Sequence, residues 1–179
     1  MRNSLIHVLL HFFAEWEALF MHLTRPRLNT FAWRRRELRH MGVAHGKEIF
    51  VGRNLFILRR GGVTLGNRCA LGSHAQIVNH APITIGDDFL GASDLILNSG
   101  SHDPLTLQPK GAAITIGDRV WTGVRVTILA GVNIGSDVVI GAGSVVTRDI
   151  PSGCVAAGVP ARVLRKIDRT GVKVWSSFD

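Results

Sequence analysis

A chain of 179 residues, 46% hydrophobic and 19% charged, fits one domain of ordinary size with at most a terminal appendage, and is too apolar to be disordered. Its twenty glycines exceed the usual share of roughly 7% yet lack the one-in-three period of collagen, so the backbone needs many tight turns. The net charge of +8 divides as 8 − 3 = +5 over residues 1–47, 8 − 8 = 0 over 48–159 and 5 − 2 = +3 over 160–179, which leaves the glycine-rich middle neutral and argues against a nucleic-acid stripe.

The first element is an amphipathic helix. Leu5, Val8, Leu9, Phe12, Trp16, Leu19, Phe20 and Leu23 follow the i, i+3, i+4, i+7 rule, and the pattern stops near Thr24-Arg25-Pro26. The longest uncharged stretch, Asn3 to Ala14, is only twelve residues, against about 20 for a membrane-spanning helix. No convincing small-x-small cleavage site follows it, as a signal peptide would require. Its apolar surface is expected to pack on the body or on a neighbouring subunit. The alternative is peripheral contact with the inner membrane through residues 5–23, with Arg34-Arg35-Arg36 and Arg39 facing anionic lipid.

The middle of the chain is an internal repeat. Every sixth residue from Ile116 gives Ile116, Thr122, Ile128, Ile134, Ile140 and Val146. The next column is Gly117, Gly123, Leu129, Gly135, Gly141 and Thr147, and the column four places on is Val120, Val126, Val132, Val138, Ser144 and Ile150. A period of six is neither helical nor that of a hairpin sheet; it predicts a parallel β-helix. Each unit is a short strand and a corner, its first aliphatic points inward, and the glycine after it is expected to let the corner turn without Cβ strain. Three units close a coil of about 18 residues that gains stability only by stacking on its neighbours. Upstream, Val51-Ile57-Val63, Leu65-Leu71-Ile77-Ile83 and Ile85-Gly91-Leu97 keep the period, with two-residue slips at Val63-Thr64-Leu65 and Ile83-Thr84-Ile85 that predict small corner insertions.

The repeat is lost over residues 98–113, which read Asn98-Ser99-Gly100-Ser101-His102-Asp103-Pro104-Leu105 and then Gln108-Pro109-Lys110-Gly111. A polar excursion from a rigid scaffold is a usual place for chemistry, and His102 is the one histidine in it. Cys69 and Cys154 stand far apart with no CxxC, which points to free thiols in a reducing cytoplasm.

Four segments carry a resemblance to a known family: Ser99-Gly100-Ser101-His102-Asp103; Ile114-Thr115-Ile116-Gly117-Asp118-Arg119-Val120-Trp121; Ile140 to Pro151; and Ala157-Gly158-Val159-Pro160-Ala161-Arg162-Val163. Together with the rougher upstream coils, Ile49 to Ile167 resembles the hexapeptide-repeat acyltransferases, in the branch of the galactoside, maltose and nodulation-factor O-acetyltransferases and bacterial polysaccharide acetyltransferases. The resemblance implies a mainly β fold: a left-handed parallel β-helix over residues 48–159, with a helical extension over 1–47, a catalytic loop over 98–113 and a basic tail over 160–179. It implies an acetyl-CoA-dependent O-acetyltransferase that transfers acetyl to a sugar hydroxyl, in bacterial surface polysaccharide biosynthesis, in the cytoplasm or at the inner membrane.

Such a reaction needs a base for the hydroxyl proton, and a histidine near its reference pKa suits that role. The resemblance implies His102 as this base, direct attack, and neither a metal nor a covalent acyl-enzyme. It implies a homotrimer with active sites between subunits and acetyl-CoA in a groove lined by Ala142, Thr147 and Arg148, with Arg162 and Arg165 reaching the nucleotide phosphates. Asn79 and Trp121 are its candidate acceptor-binding residues. Asp103 and Asp94 are acids near His102 in sequence, and neither is assigned a role. Because Met1 to Lys47 replaces the helical region that precedes the repeats in those sugar acetyltransferases, galactoside or maltose does not carry over as acceptor. Two alternatives remain, a serine or nucleotide-sugar acetyltransferase and a zinc-dependent carbonic anhydrase-like trimer. The second would enlist His74 and His80, but successive units put these on different corners.

Overall fold

The computed structural model describes residues 36–169, all within the unit Phe31–Asp179. The expected helix over residues 5–23 lies outside the described residues. A helical turn over 36–40 leads into β1 (Ala44–His45), β2 (Phe50–Val51), β3 (Phe56–Ile57), β4 (Val63–Leu65), β5 (Ala70–Leu71), β6 (Gln76–Val78), β7 (Ile83–Ile85), β8 (Leu90–Gly91) and β9 (Ile96–Asn98). Then come β10 (Gly100–His102) and β11 (Pro109–Gly111), and the repeat resumes with β12 (Ile114–Ile116), β13 (Trp121–Thr122), β14 (Thr127–Leu129), β15 (Asn133–Ile134), β16 (Val139–Ile140), β17 (Val145–Val146), β18 (Cys154–Gly158) and β19 (Ala161–Lys166).

Each strand of the repeat pairs in parallel with its equivalent in the next coil, and the pairs form three faces. Face A runs β1-β4-β7-β12-β15, face B runs β2-β5-β8-β13-β16-β18-β19, and face C runs β3-β6-β9-β14-β17. One inward column is Leu65, Ile85, Ile116 and Ile134, a second is Ile57, Ile77, Leu97, Ile128 and Val146, and all of these residues are buried. The third passes Leu71, Gly91, Thr122 and Ile140; Thr122 is fully buried and its Oγ1 finds no hydrogen-bond partner. Outward, face A is polar, with Thr64, Thr84, Thr115 and Asn133 in register, whereas face B shows Ala70, Leu90, Trp121, Val139 and Val155.

Coil length is not constant. A polar side chain at one corner accepts from the backbone N–H of the coil before it: Asn67 from Lys47 and Asp87 from Asn67, each 20 residues on; Asp118 from Asp87 after 31; Ser136 from Asp118 after 18; and Ser152 from Ser136 after 16. The early coils therefore carry the two-residue insertions that the phase slips predict, and the 18-residue coil describes only the later part. The bond from Asn67 N–H, with those from its side chain, holds the Asp87 carboxyl below the ordinary range.

The glycine column works differently from the expectation. Left-handed corners are held mostly by other residues, Glu48, Arg68, Asp88, Arg119 and Asp137 at one corner and Asn54, His74, Asp94 and Arg125 at another, with φ between 52° and 61°. Gly66, Gly72, Gly86, Gly117 and Gly135 are not left-handed; they are glycine because the next coil lies against them. A Cβ on Gly72 would stand 2.5 Å from the carbonyl carbon of Ala92, and one on Gly117 would stand 2.8 Å from that of Gly135. The constraint is interlayer contact.

The residues read as a basic tail are partly sheet: β19 runs antiparallel to β18 and closes face B. Beyond it, Arg169 donates to Arg119 O and Asp137 Oδ1, so this arginine is anchored to a corner where Arg119 already grips Asp137 with two bonds of 2.8 and 2.7 Å. That grip holds the Asp137 carboxyl below its ordinary pKa. Among the described residues no helix is long and apolar enough to cross a membrane.

Candidate active site

Residues 100–111 form a β-hairpin that leaves the prism at the corner between faces C and A. β10 and β11 pair antiparallel, Gly100 with Gly111, Ser101 with Lys110 and His102 with Pro109. Ser99, fully buried, fastens its root: Oγ donates to Ala81 O at 2.8 Å and accepts from Ala81 N–H at 2.9 Å, while Ser99 O accepts from Ala112 N–H. At the tip, Asp103 Oδ1 accepts from the amides of Leu105 and Thr106, and Oδ2 pairs with Lys110 across the hairpin. The Lys110 ammonium, with those amides, lowers the Asp103 carboxyl to about 2.

His102 is exposed on β10. Neither nearby acid orients it: Asp103 is spent on Lys110 and the turn amides, and Asp94 lies 3.6 Å from His74 at the corner between faces B and C. His80, which the sequence raised only as a possible zinc ligand, places its ring so close to Gly100 that a Cβ there would stand 2.9 Å from its Cγ. Alternation along a strand puts His102 on the same face of β10 as that ring. His74 and His80 occupy different corners, and among the described residues no three His, Cys, Asp or Glu side chains group around a common point.

Asn79 is a correction. It is 5% exposed, its Oδ1 accepts from Arg59 N–H, and its Nδ2 donates to Arg59 O and Gly61 O. With both amide hydrogens and one Oδ1 lone pair holding the preceding coil, Asn79 acts as a structural ladder residue. Trp121 is 51% exposed on the outer surface of face B.

The residues expected to line the acetyl-CoA groove are accessible. Ala142, Thr147, Arg148, Arg162 and Arg165 are exposed, and none of these three arginines has an acidic partner among the described residues. Beside Ala142, a Cβ added to Gly143 would meet nothing within 4 Å. A slender chain lying along small side chains and ending in phosphates fits such a surface. Thr147 and Arg148 follow β17 at the same C–A edge as the hairpin, two coils beyond its root, or roughly 10 Å at about 4.8 Å per coil. Ala142, between β16 and β17, stands on the B–C edge. One chain therefore separates His102 and Ala142 by the width of face C.

The prism of six-residue units, interrupted by one hairpin, defines a β-helix of the left-handed hexapeptide-repeat class, and residues 113–148 match the family model described as bacterial transferase hexapeptide (six repeats). The chain belongs to the hexapeptide-repeat acetyltransferase family. It is 40% identical over 131 residues to the galactoside O-acetyltransferase of Escherichia coli K12, covering 70% of this chain and 57% of that protein. It is 34% identical over 139 residues to a provisionally named lipopolysaccharide biosynthesis O-acetyl transferase of the same organism, WbbJ, covering 70% of each. Among solved structures, a galactoside acetyltransferase in complex with coenzyme A superposes with a TM-score of 0.69 at 30% identity, over 89% of this chain and 82% of that one. The chain thus spans little more than half the length of the galactoside relative.

Proposed function

We propose that this protein is an acetyl-CoA-dependent O-acetyltransferase that acetylates a sugar hydroxyl of a bacterial surface polysaccharide or its oligosaccharide precursor, on the cytoplasmic side of the inner membrane. The observation that carries the proposal is the exposed His102 on an anchored hairpin, in a chain whose relatives are named for sugar and lipopolysaccharide O-acetylation. The acceptor hydroxyl gives its proton to the His102 imidazole as its oxygen attacks the thioester carbonyl. The C–S bond then breaks, the acetyl ester forms, and the imidazolium returns the proton to the departing CoA thiolate. Ala142, Thr147 and Arg148 line the pantetheine groove, Arg162 and Arg165 meet the phosphates, and Trp121 borders the acceptor.

The working unit is a homotrimer. Separation of His102 and Ala142 by face C in one chain, and the apolar outer surface of face B, both favour sites completed by a neighbouring copy. The apolar periodicity of residues 5–23 supports peripheral contact with the membrane.

The test is release of free CoA thiol from acetyl-CoA across a panel of sugars, nucleotide sugars, oligosaccharides and serine. A sugar or oligosaccharide is expected to turn over, and His102→Ala to lower kcat by about 10²- to 10⁴-fold. A variant as active as the parent would remove His102 from the mechanism, serine as sole acceptor would overturn the substrate class, and an active monomer by light scattering would overturn the intersubunit site.

A further inference from the structure

The cationic excess of the described residues sits at the two ends of the prism, and the one at the far end, 4 − 1 = +3 over residues 160–169, includes the Arg162 and Arg165 already proposed for the CoA phosphates. Residues 36–60 hold six cations, Arg36, Arg39, Lys47, Arg53, Arg59 and Arg60, and two acids, Glu37 and Glu48, a balance of 6 − 2 = +4. Residues 61–159 hold five cations and seven acids, a balance of 5 − 7 = −2. In that later stretch Arg68, Lys110 and Arg119 each face an aspartate in an ion pair, whereas none of the six cations at the end does so among the described residues. All six are exposed.

These cations share a built surface. Leu38, Met41 and Val43 are buried over the first coil and close its open end, which leaves Arg36 and Arg39 of the helical turn facing outward. Arg60 lies along this cap, its Cγ 3.0 Å from where a Cβ on Gly42 would stand, and Gly61 N–H bonds to Met41 O. Phe56 in β3, the outermost strand of face C, is 46% exposed, and Leu58 just after it is 42% exposed and runs directly into Arg59-Arg60.

We propose that this capped end docks on an anionic phospholipid surface, with Arg39, Arg53, Arg59 and Arg60 among the headgroups and Phe56 and Leu58 in the interface. Charge complementarity carries the assignment, since unpaired cations interleaved with exposed apolar side chains gain from both an anionic surface and a hydrocarbon boundary. A polyphosphate chain would use the arginines but not Phe56 and Leu58. The inference goes beyond acetyl transfer and does not require residues 5–23.

The test is sedimentation of the full chain with phosphatidylcholine vesicles, with and without 30% phosphatidylglycerol as about a third of the lipid. Wild type is expected to partition to the anionic vesicles and to be released by high salt. The triple variant Arg53→Gln, Arg59→Gln, Arg60→Gln should partition about a hundredfold less, at about fivefold per arginine, and Phe56→Ser with Leu58→Ser should also weaken binding. Acetyl transfer to a soluble acceptor serves as the folding control, and its absence from every variant and the parent alike would bear on the catalytic proposal alone. Equal partition to neutral vesicles, undiminished partition of the triple variant, or a preference for an oligonucleotide over the vesicles would each overturn the proposal.

Discussion

Replacing Gly117 by alanine tests whether the glycine column exists for stacking or for turning. The added Cβ would stand 2.7 Å from Ser136 Oγ and 2.8 Å from both Gly135 C and Ser136 N, against an ordinary contact of 3.4 Å. Relief requires the two coils to part locally by about 0.6 Å, within a layer spacing of about 4.8 Å. The bonds across that gap, Gly117 N–H to Ile134 O at 2.8 Å and Asp118 N–H to Ser136 Oγ at 3.1 Å, would be stretched. Overpacking costs about 1–3 kcal/mol, the weakened bonds add up to about 1 each, and lost chain entropy in the unfolded state offsets about 0.4–1, for a net of about 2–3 kcal/mol. For a chain of this size that lowers Tm by roughly 5–10 °C in a thermal melt followed by circular dichroism. Gly143→Ala is the contrast: its Cβ meets nothing within 4 Å, but its φ is +69°, so the cost is a left-handed alanine at about 1 kcal/mol net. If Gly143→Ala proved the more damaging of the two, the stacking argument would be wrong.

Two further outcomes follow from single side chains. Thr122→Val keeps shape and removes a buried hydroxyl that has no partner, so it should raise stability by about 1 kcal/mol, and a lower Tm would show that the hydroxyl is satisfied in solution. The Asp103 carboxyl, depressed to about 2 from 3.8, contributes hairpin order that is fully present above pH 4 and is lost as pH falls from about 4 toward 2. Lys110→Ala should move its NMR-detected titration upward toward 3.8, and an unchanged midpoint would mean that the turn amides alone set it.

Much of this molecule is legible in its sequence because a β-helix writes its core one residue in six. The inward columns through Ile116, Ile128 and Ile134, the two-residue corner insertions and the interruption around His102 all follow from local periodicity. What periodicity hides is which residues meet between coils. Asn79 looks like any polar loop residue until Arg59 and Gly61 are known to lie one coil behind it, and His80 becomes relevant only because the hairpin brings Gly100 under its ring. The antiparallel hairpin itself, Gly100–His102 against Pro109–Gly111, has too few residues to show an alternating pattern.

The two ends of the prism have a consequence for solubility. A stack of parallel coils is an open template, and a second molecule could in principle add its first coil to another's last and grow into a fibre. Here the first coil is covered by Leu38 and Met41, and face B ends in β19, which runs against the direction of every other strand on that face. An incoming parallel strand would find the reversed polarity of β19 where it needs the continuation of β18. The same strand that carries Arg162 and Arg165 thus also acts as a stop against end-to-end growth along face B.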